Sequence, residues 1–195
     1  MRIKSLMAGA AIGLAASLSA MSAGAADLVT NGSFETGDFT GWTQFGDTSW
    51  NGVGGGNQDL GYPTDGVEVA YFGPVTGVSG ISQELATGAG LYNISFDLSN
   101  DAGTFFSADF GGVTLLLSPP SEGVTHYSFT DVAASGPTTL TFSFVDVPAF
   151  YTLDNVQVTA AAVPEPASWA LMIGGFFGLG ATLRGARRRT AAAAA

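Results

Sequence analysis

The sequence contains no cysteine and only one histidine, His126. The absence of cysteine excludes disulfide scaffolds, thiol catalysis and cysteine-ligated zinc. A serine hydrolase also fits poorly, because its nucleophile needs a base and an orienting group, and the chain has a single imidazole and no G-x-S-x-G motif. The sequence therefore argues against a thiol enzyme and against a serine hydrolase.

Lysine and arginine are missing from the middle of the chain. The net charge is −10, and every acidic residue except Glu165 lies within residues 27–160. The six basic residues all lie near the two ends, namely Arg2, Lys4, Arg184, Arg187, Arg188 and Arg189. Nucleic-acid binding needs basic side chains to displace counterions from phosphates. The charge pattern therefore predicts no nucleic-acid partner and a surface that attracts cations.

The N-terminal residues have the pattern of a secretory signal peptide. Arg2 and Lys4 precede an apolar, alanine-rich run, and the small residues of "AGAAD" follow it. This order is typical of a cleavable signal rather than a membrane anchor. We predict a signal peptide over residues 1–26, a mature chain that begins at Ala26 or Asp27, and export through the inner membrane.

The C-terminal residues form a second targeting segment. Residues 167–183 are apolar and would be about 25 Å long as a helix, near the lower limit for crossing a bilayer. Residues 184–189 carry the arginines that favour the cytoplasmic side. The pattern predicts a transmembrane helix over 167–183, a basic tail over 184–189 and a disordered end over 190–195.

The ending "VPEPASWALMIGGFFGLG…RRR" resembles the PEP-CTERM sorting signal over residues 163–189. This tail is also known as the ice-binding-protein C-terminal domain. The resemblance implies a Gram-negative bacterium that makes exopolysaccharide, and cleavage by a membrane exosortase near Pro164, Glu165 and Pro166. An ordinary tail anchor is the alternative.

Residues 27–160 have the alternating pattern of β-strands. Tyr92, Ile94, Phe96 and Leu98 alternate in one segment, and similar runs follow at 139–147 and 152–160. In the first of those runs the alternating residues are Leu140, Phe142 and Phe144, and in the second Leu153, Val156 and Val158, with a shift of phase near Asp154. Many short strands with glycine-rich breaks predict an antiparallel β-sandwich of the jelly-roll type. The glycine-rich residues 46–66 lack this pattern and are predicted to be a long loop.

The start "LVTNGSFETGDFTGW" and the end "FYTLDNVQVTA" of this region resemble the galactose-binding-like jelly rolls. The likeness is greatest to carbohydrate-binding modules for xylans and β-glucans. It implies that these two segments lie together. It also implies a structural calcium ion at their junction, with Glu35 and Asp154 as ligands and Asn31 as a weaker one. The alternative is that these acids are solvated or bonded locally. Phe34 and Trp42 are predicted to be core residues, and Asn31–Gly32 a turn.

Aromatic and amide side chains suited to sugar recognition occur together in the long loop. We expect Trp50 and Tyr62 to stack on pyranose rings, with Asn51, Asn57, Gln58 and Asp59 beside Trp50 bonding hydroxyl groups. The alternative is that the two rings pack the loop onto the sandwich.

The leading hypothesis is a non-catalytic, exosortase-sorted surface protein that associates with exopolysaccharide. A purely structural matrix protein without sugar specificity is the alternative. A glycosidase that uses Glu35, Asp97, Asp101 or Asp109 is a weaker one, because nothing in the sequence pairs two of these acids. An ice-binding role lacks a regular Thr-x-Thr array.

Overall fold

The computed structural model describes residues 25–55, 63–73, 77–100, 105–120, 122–145, 147, 150–162, 172–180 and 184. The predicted signal peptide and the Pro164–Pro166 motif lie outside these residues, except for Ala25 and Ala26. Within these residues there are ten strands: β1 (Thr43–Phe45), β2 (Asn51–Gly54), β3 (Val69–Phe72), β4 (Ser79–Leu85), β5 (Ala89–Asn100), β6 (Phe105–Phe110), β7 (Val113–Leu117), β8 (Glu122–Ser135), β9 (Thr138–Val145) and β10 (Tyr151–Ala160).

The ten strands form two five-stranded antiparallel sheets. The front sheet has the order β2-β3-β10-β5-β8, and the back sheet has the order β1-β4-β9-β6-β7. Every pair of neighbouring strands is antiparallel. The prediction of an all-β antiparallel sandwich is therefore confirmed.

The core lies between the sheets and is rich in phenylalanine. The alternating residues that the sequence singled out are buried there, among them Ile94, Phe96, Leu140, Phe142 and Val158. Phe34 and Trp42 are also buried and stack on each other with ring centroids 5.9 Å apart. The period-2 pattern thus identified the inward faces correctly.

Strand β10 carries a bulge at the predicted shift of phase. Its register against β5 changes between Asp154 and Gln157, and Asn155 has a φ of 51°. Asparagine tolerates this left-handed conformation better than most residues. The bulge returns Val156 and Val158 to the core while Asp154 faces away from it.

The N-terminal segment of the domain lies against the last strand, as the resemblance implied. The N–H of Val156 donates to the carbonyl of Gly32 at 3.0 Å, and the N–H of Leu28 donates to the carbonyl of Val158 at 2.8 Å. A Cβ on Gly32 would overlap the carbonyl oxygen of Val156, so only glycine fits there. Asn31 has a φ of 55°, which confirms the predicted turn.

Two predictions about the chain need correction or restatement. Residues 46–66 are not one loop, because β2 lies within them and pairs with β3. Glycines hid this strand, since β2 has one apolar side chain, Val53, and no alternation. In the C-terminal region a helix covers residues 172–180. Among the described residues no helix reaches the length and apolarity needed to span a bilayer.

Candidate functional site

An aromatic patch lies on the outer face of the front sheet, the face directed away from the core. Trp50 is 56% exposed and lies beside Phe150 over Gly73, where a Cβ would come within 2.7 Å of the Trp50 Cβ. Tyr71 lies over Gly52 and meets Phe150 edge to face at 6.3 Å. The glycines leave room for the rings to lie against the sheet. The three rings therefore form one patch on the sheet, and Trp50 is its most exposed member.

A row of titratable side chains crosses the same face in the register of the strands. Asp154 on β10 pairs with Asp97 on β5, and Asp97 pairs with His126 on β8. Asp97 Oδ1 lies 2.5 Å from His126 Nδ1. His126 is 57% exposed, whereas both aspartates are buried. His126 on β8 is thus the exposed end of this row.

The segment 64–68 covers the two aspartates. Asp154 Oδ2 accepts hydrogen bonds from the N–H of Thr64 at 2.6 Å and the N–H of Asp65 at 3.0 Å. The Thr64 hydroxyl lies 2.6 Å from Asp97 Oδ2 and 3.1 Å from Asp154 Oδ2. A single hydroxyl proton serves one acceptor at a time. The Thr64 hydroxyl therefore bridges the two adjacent carboxylates.

Glu35 holds the other half of this segment. Its Oε1 accepts the N–H groups of Val67 at 2.7 Å and Glu68 at 2.8 Å. Gly66, which directly precedes Val67, has a φ of 77°, and a Cβ there would overlap the Glu35 carboxylate. We call residues 64–68, with Glu35, Asp97 and Asp154, the carboxylate clamp. The clamp fixes the segment that leads into β3.

The pKa values of the two buried aspartates are shifted in opposite directions. Burial raises the pKa of Asp154 above its usual value, and the main-chain N–H bonds it accepts only partly compensate. Burial would also raise the pKa of Asp97, but hydrogen bonds from Thr64, His126 and Asn155 outweigh it and lower that pKa. Asp97 is therefore the more acidic of the two carboxyl groups and the ionised partner of the His126 imidazole. Burial disfavours the charged form more strongly at Asp154.

The structure places the predicted site residues in three groups. Trp50 is exposed, as sugar stacking requires, and Glu35 and Asp154 both belong to the clamp. Asn31 lies apart from them: its Nδ2 donates to the carbonyls of Asp38 and Thr40, and its Oδ1 accepts the N–H of Thr36 at 3.3 Å. The remaining predicted site residues lie outside the described residues, namely Asn57, Gln58, Asp59 and Tyr62.

Asn51, which follows Trp50 directly, does not face the aromatic patch. Its register partner is Phe72, a core residue, and both polar atoms of its amide are buried without a hydrogen-bond partner among the described residues. The expectation that Asn51 stands beside Trp50 to bind hydroxyl groups is wrong, because alternation along β2 turns it inward.

The predicted calcium ligands do not fit calcium as they are arranged. Calcium needs six to eight oxygens around one point, but N–H donors already occupy Glu35 Oε1 and both oxygens of Asp154. Asn31 makes its own turn. Among the described residues no three acidic or histidine side chains converge as a metal site. We therefore derive no role for calcium from these residues.

We expect the melting temperature to be the same in excess calcium and in chelator. A cation bound only by the folded state would raise stability by about 2.7 kcal/mol at a hundredfold excess over its Kd. Asp154→Ala should instead lower the free energy of unfolding by about 1–3 kcal/mol in both buffers, since it leaves covered N–H groups without acceptors. A calcium-induced rise in melting temperature that Glu35→Gln removes would restore the calcium hypothesis.

Sequence reasoning did not assign Tyr71, Thr64 or the pair formed by Asp97 and His126 to the site. Tyr71 was not singled out in the sequence, because its position over Gly52 depends on the pairing of β2 with β3. Asp97 and Asp154 are far apart in the sequence and become neighbours through strand register. An available signal was the outward phase of Asp97 and His126 in their strands.

A cleft of about 540 Å³ lies on the back sheet, and its lining includes Asp109, Thr139 and Thr141. Asp109 accepts hydrogen bonds from Ser107 and Thr114 at 2.7 and 2.6 Å. The lining has no aromatic ring among the described residues. It lacks the stacking surface that the front face provides.

Solved structures with the same fold are carbohydrate-binding modules and parts of larger chains. No protein-family model matches this sequence, and no curated protein matches it significantly. The module TmCBM61, solved in complex with β-1,4-galactotriose, has a TM-score of 0.61 and 19% identity, and the match covers 70% of this chain and 99% of that one.

Two further structures extend the comparison. The CBM22-1 xylan-binding domain of Paenibacillus barcinonensis Xyn10C has a TM-score of 0.50 and 16% identity, over 72% of this chain and 98% of that one. An enzymatically active domain of the bacteriophage CBA120 tailspike protein 4 has a TM-score of 0.53 and 17% identity, over 69% of this chain and 21% of that one. At these identities the shared feature is the sandwich fold.

Proposed function

We propose that this protein binds the polysaccharide of its surroundings through the outer face of the front sheet. The observation that carries the proposal is the exposed Trp50 in a built aromatic patch, on a fold shared with carbohydrate-binding modules. Aromatic rings offer a large, rigid contact area at low entropic cost. Affinity electrophoresis in gels that contain the producing organism's exopolysaccharide tests the proposal, with retardation as the expected result.

We propose further that the protein is not an enzyme. A glycosidase needs two carboxyl groups that reach the substrate, one to protonate the leaving group and one to act as nucleophile or base. Asp97 and Asp154 are adjacent, but both are buried and bonded to Thr64. Their hydrogen bonds hold the segment 64–68, which supports a positioning role for both. Release of reducing ends from the exopolysaccharide would contradict this part of the proposal.

Export and sorting by an exosortase remain predictions from the sequence. A cell-surface or extracellular protein would meet exopolysaccharide directly, and the helix at 172–180 with its exposed Phe176 and Phe177 has the apolar surface expected of a membrane segment. Mass spectrometry of the exported protein should show a start at Ala26 or Asp27 and an end near Pro164–Pro166. An exported protein that retains both ends at full length would contradict both predictions.

A purely structural surface protein is the second candidate, and the acidic composition of residues 27–160 favours it, since cations could bridge such surfaces. It predicts that retention in the exopolysaccharide gel is unaffected by the loss of Trp50 and is abolished by chelation of divalent cations. The proposed binding module predicts the reverse of both results.

A further inference from the structure

The front face is bordered by carboxylates, and the described part of it carries no lysine or arginine. Asp65 and Glu68 belong to the segment 64–68, and Glu35 binds its main chain. Asp97 and Asp154 lie beneath the segment. No lysine or arginine occurs anywhere in residues 27–160. The potential over this face is therefore negative near the clamp.

Four main-chain donors at the clamp are already in use. The main-chain N–H groups of Thr64 and Asp65 bond Asp154, and those of Val67 and Glu68 bond Glu35. A ligand carboxylate at this border would meet like charge and lose its hydration without a partner.

His126 does not change this balance. Its Nδ1 faces Asp97 Oδ1, so the one imidazole of the chain is already paired with a carboxylate of this face. The other carboxylates near the clamp are those of Asp154, Asp65 and Glu68, which add negative charge only.

The exposed carboxylates of this border, Glu35 and Asp65, suit an uncharged polyol, whereas Asp97 and Asp154 are buried and already bonded. Carboxylate oxygens accept hydrogen bonds from hydroxyl groups, and Trp50 supplies contact that does not depend on charge. We infer that the front face binds neutral glycans and rejects glycans that carry carboxylate, sulfate or phosphate groups. This inference rests on the proposed function and adds the chemical class of its ligand.

The test compares neutral glycans with charged derivatives of the same backbones. Affinity electrophoresis of the full chain in mild detergent would use xylan, β-glucan and β-1,4-galactan, each unmodified, carboxymethylated and hydroxyethylated, without divalent cations. The hydroxyethyl form controls for the bulk of the substituent. We expect binding to the carboxymethyl form to be at least about tenfold weaker than to the other two, and the difference to shrink as salt screens the charges.

A pair of charge variants separates the local effect from the net charge. Asp65→Lys places a cation at the clamp and should narrow the difference between the carboxymethylated and unmodified glycans. Glu84→Lys makes the same change in net charge on β4 of the back sheet, where Glu84 is exposed, and should leave that difference unchanged.

The outcomes distinguish this inference from the proposed function. Equal retardation by a glycan and its carboxymethyl form overturns the charge selectivity and leaves the binding module intact. An equal effect of Asp65→Lys and Glu84→Lys overturns the assignment of the selectivity to the clamp. Retardation by none of the unmodified glycans overturns the neutral-glycan inference, and absence of retardation in the organism's own exopolysaccharide overturns the proposed function itself.

Discussion

Trp50→Ala should weaken binding to the producing organism's exopolysaccharide by about 30-fold, with little change in stability. Exposed tryptophans that anchor an interface contribute about 2 kcal/mol or more, and each 1.4 kcal/mol is a factor of ten in affinity. The Trp50 side chain is more than half exposed, so its removal takes little from the core. The measurement is affinity electrophoresis over a range of polysaccharide concentrations, with thermal melting in parallel.

Leu117→Ala is the matched control for this change. Leu117 is 61% exposed on β7, at the edge of the back sheet, so its truncation removes a similar kind of exposed apolar surface away from the front face. We expect its retardation to equal that of the wild type. If Trp50→Ala binds as tightly as Leu117→Ala, the aromatic patch is not the binding surface.

Phe142→Ala should have the largest effect on stability, a loss of about 3–5 kcal/mol in the free energy of unfolding. Phe142 is fully buried on β9, the central strand of the back sheet. Its ring meets those of Trp42, Phe96 and Phe106 at centroid distances of 6.1, 5.1 and 6.3 Å. A cavity at this position touches both sheets, and a domain of ordinary stability has only about 5–15 kcal/mol to lose.

Thr141→Ala provides the comparison, because Thr141 is the neighbouring residue on the outer side of the same strand and is only half-buried. Urea unfolding should show a change of about 0.5 kcal/mol or less for this variant. Equal losses for the two variants would mean that the strand, rather than the ring cluster, limits stability.

The sequence was sufficient to predict the fold because alternation is a local property. Phe96 and Phe142 could be assigned to the core from their own neighbours, and the shift near Asp154 could be read as an irregularity that the structure shows as a bulge. Strand β2 could not be predicted, because Gly52 and Gly54 give it no side-chain pattern.

The site was less predictable because it depends on which strands are neighbours. Asp97 acquires Asp154 on one side and His126 on the other through register, and a shift of one residue would turn it into the core. Trp50 could be singled out by its type and position, but its exposure follows from its place over Gly73. Residue types therefore indicated the candidates, and topology decided which of them stand together.

The position of β10 has a consequence for how the domain is completed during synthesis. β10 is the last of the ten described strands and yet the central strand of the front sheet, between β3 and β5. Until it emerges, β3 lacks a partner on one side, the Gly32 segment has nothing to pack against, and Asp154 is absent from the clamp. Because β10 ends at Ala160, the domain can close only after all of residues 27–160 have been made. The front sheet of the nascent domain therefore stays incomplete, with open strand edges, until β10 is delivered.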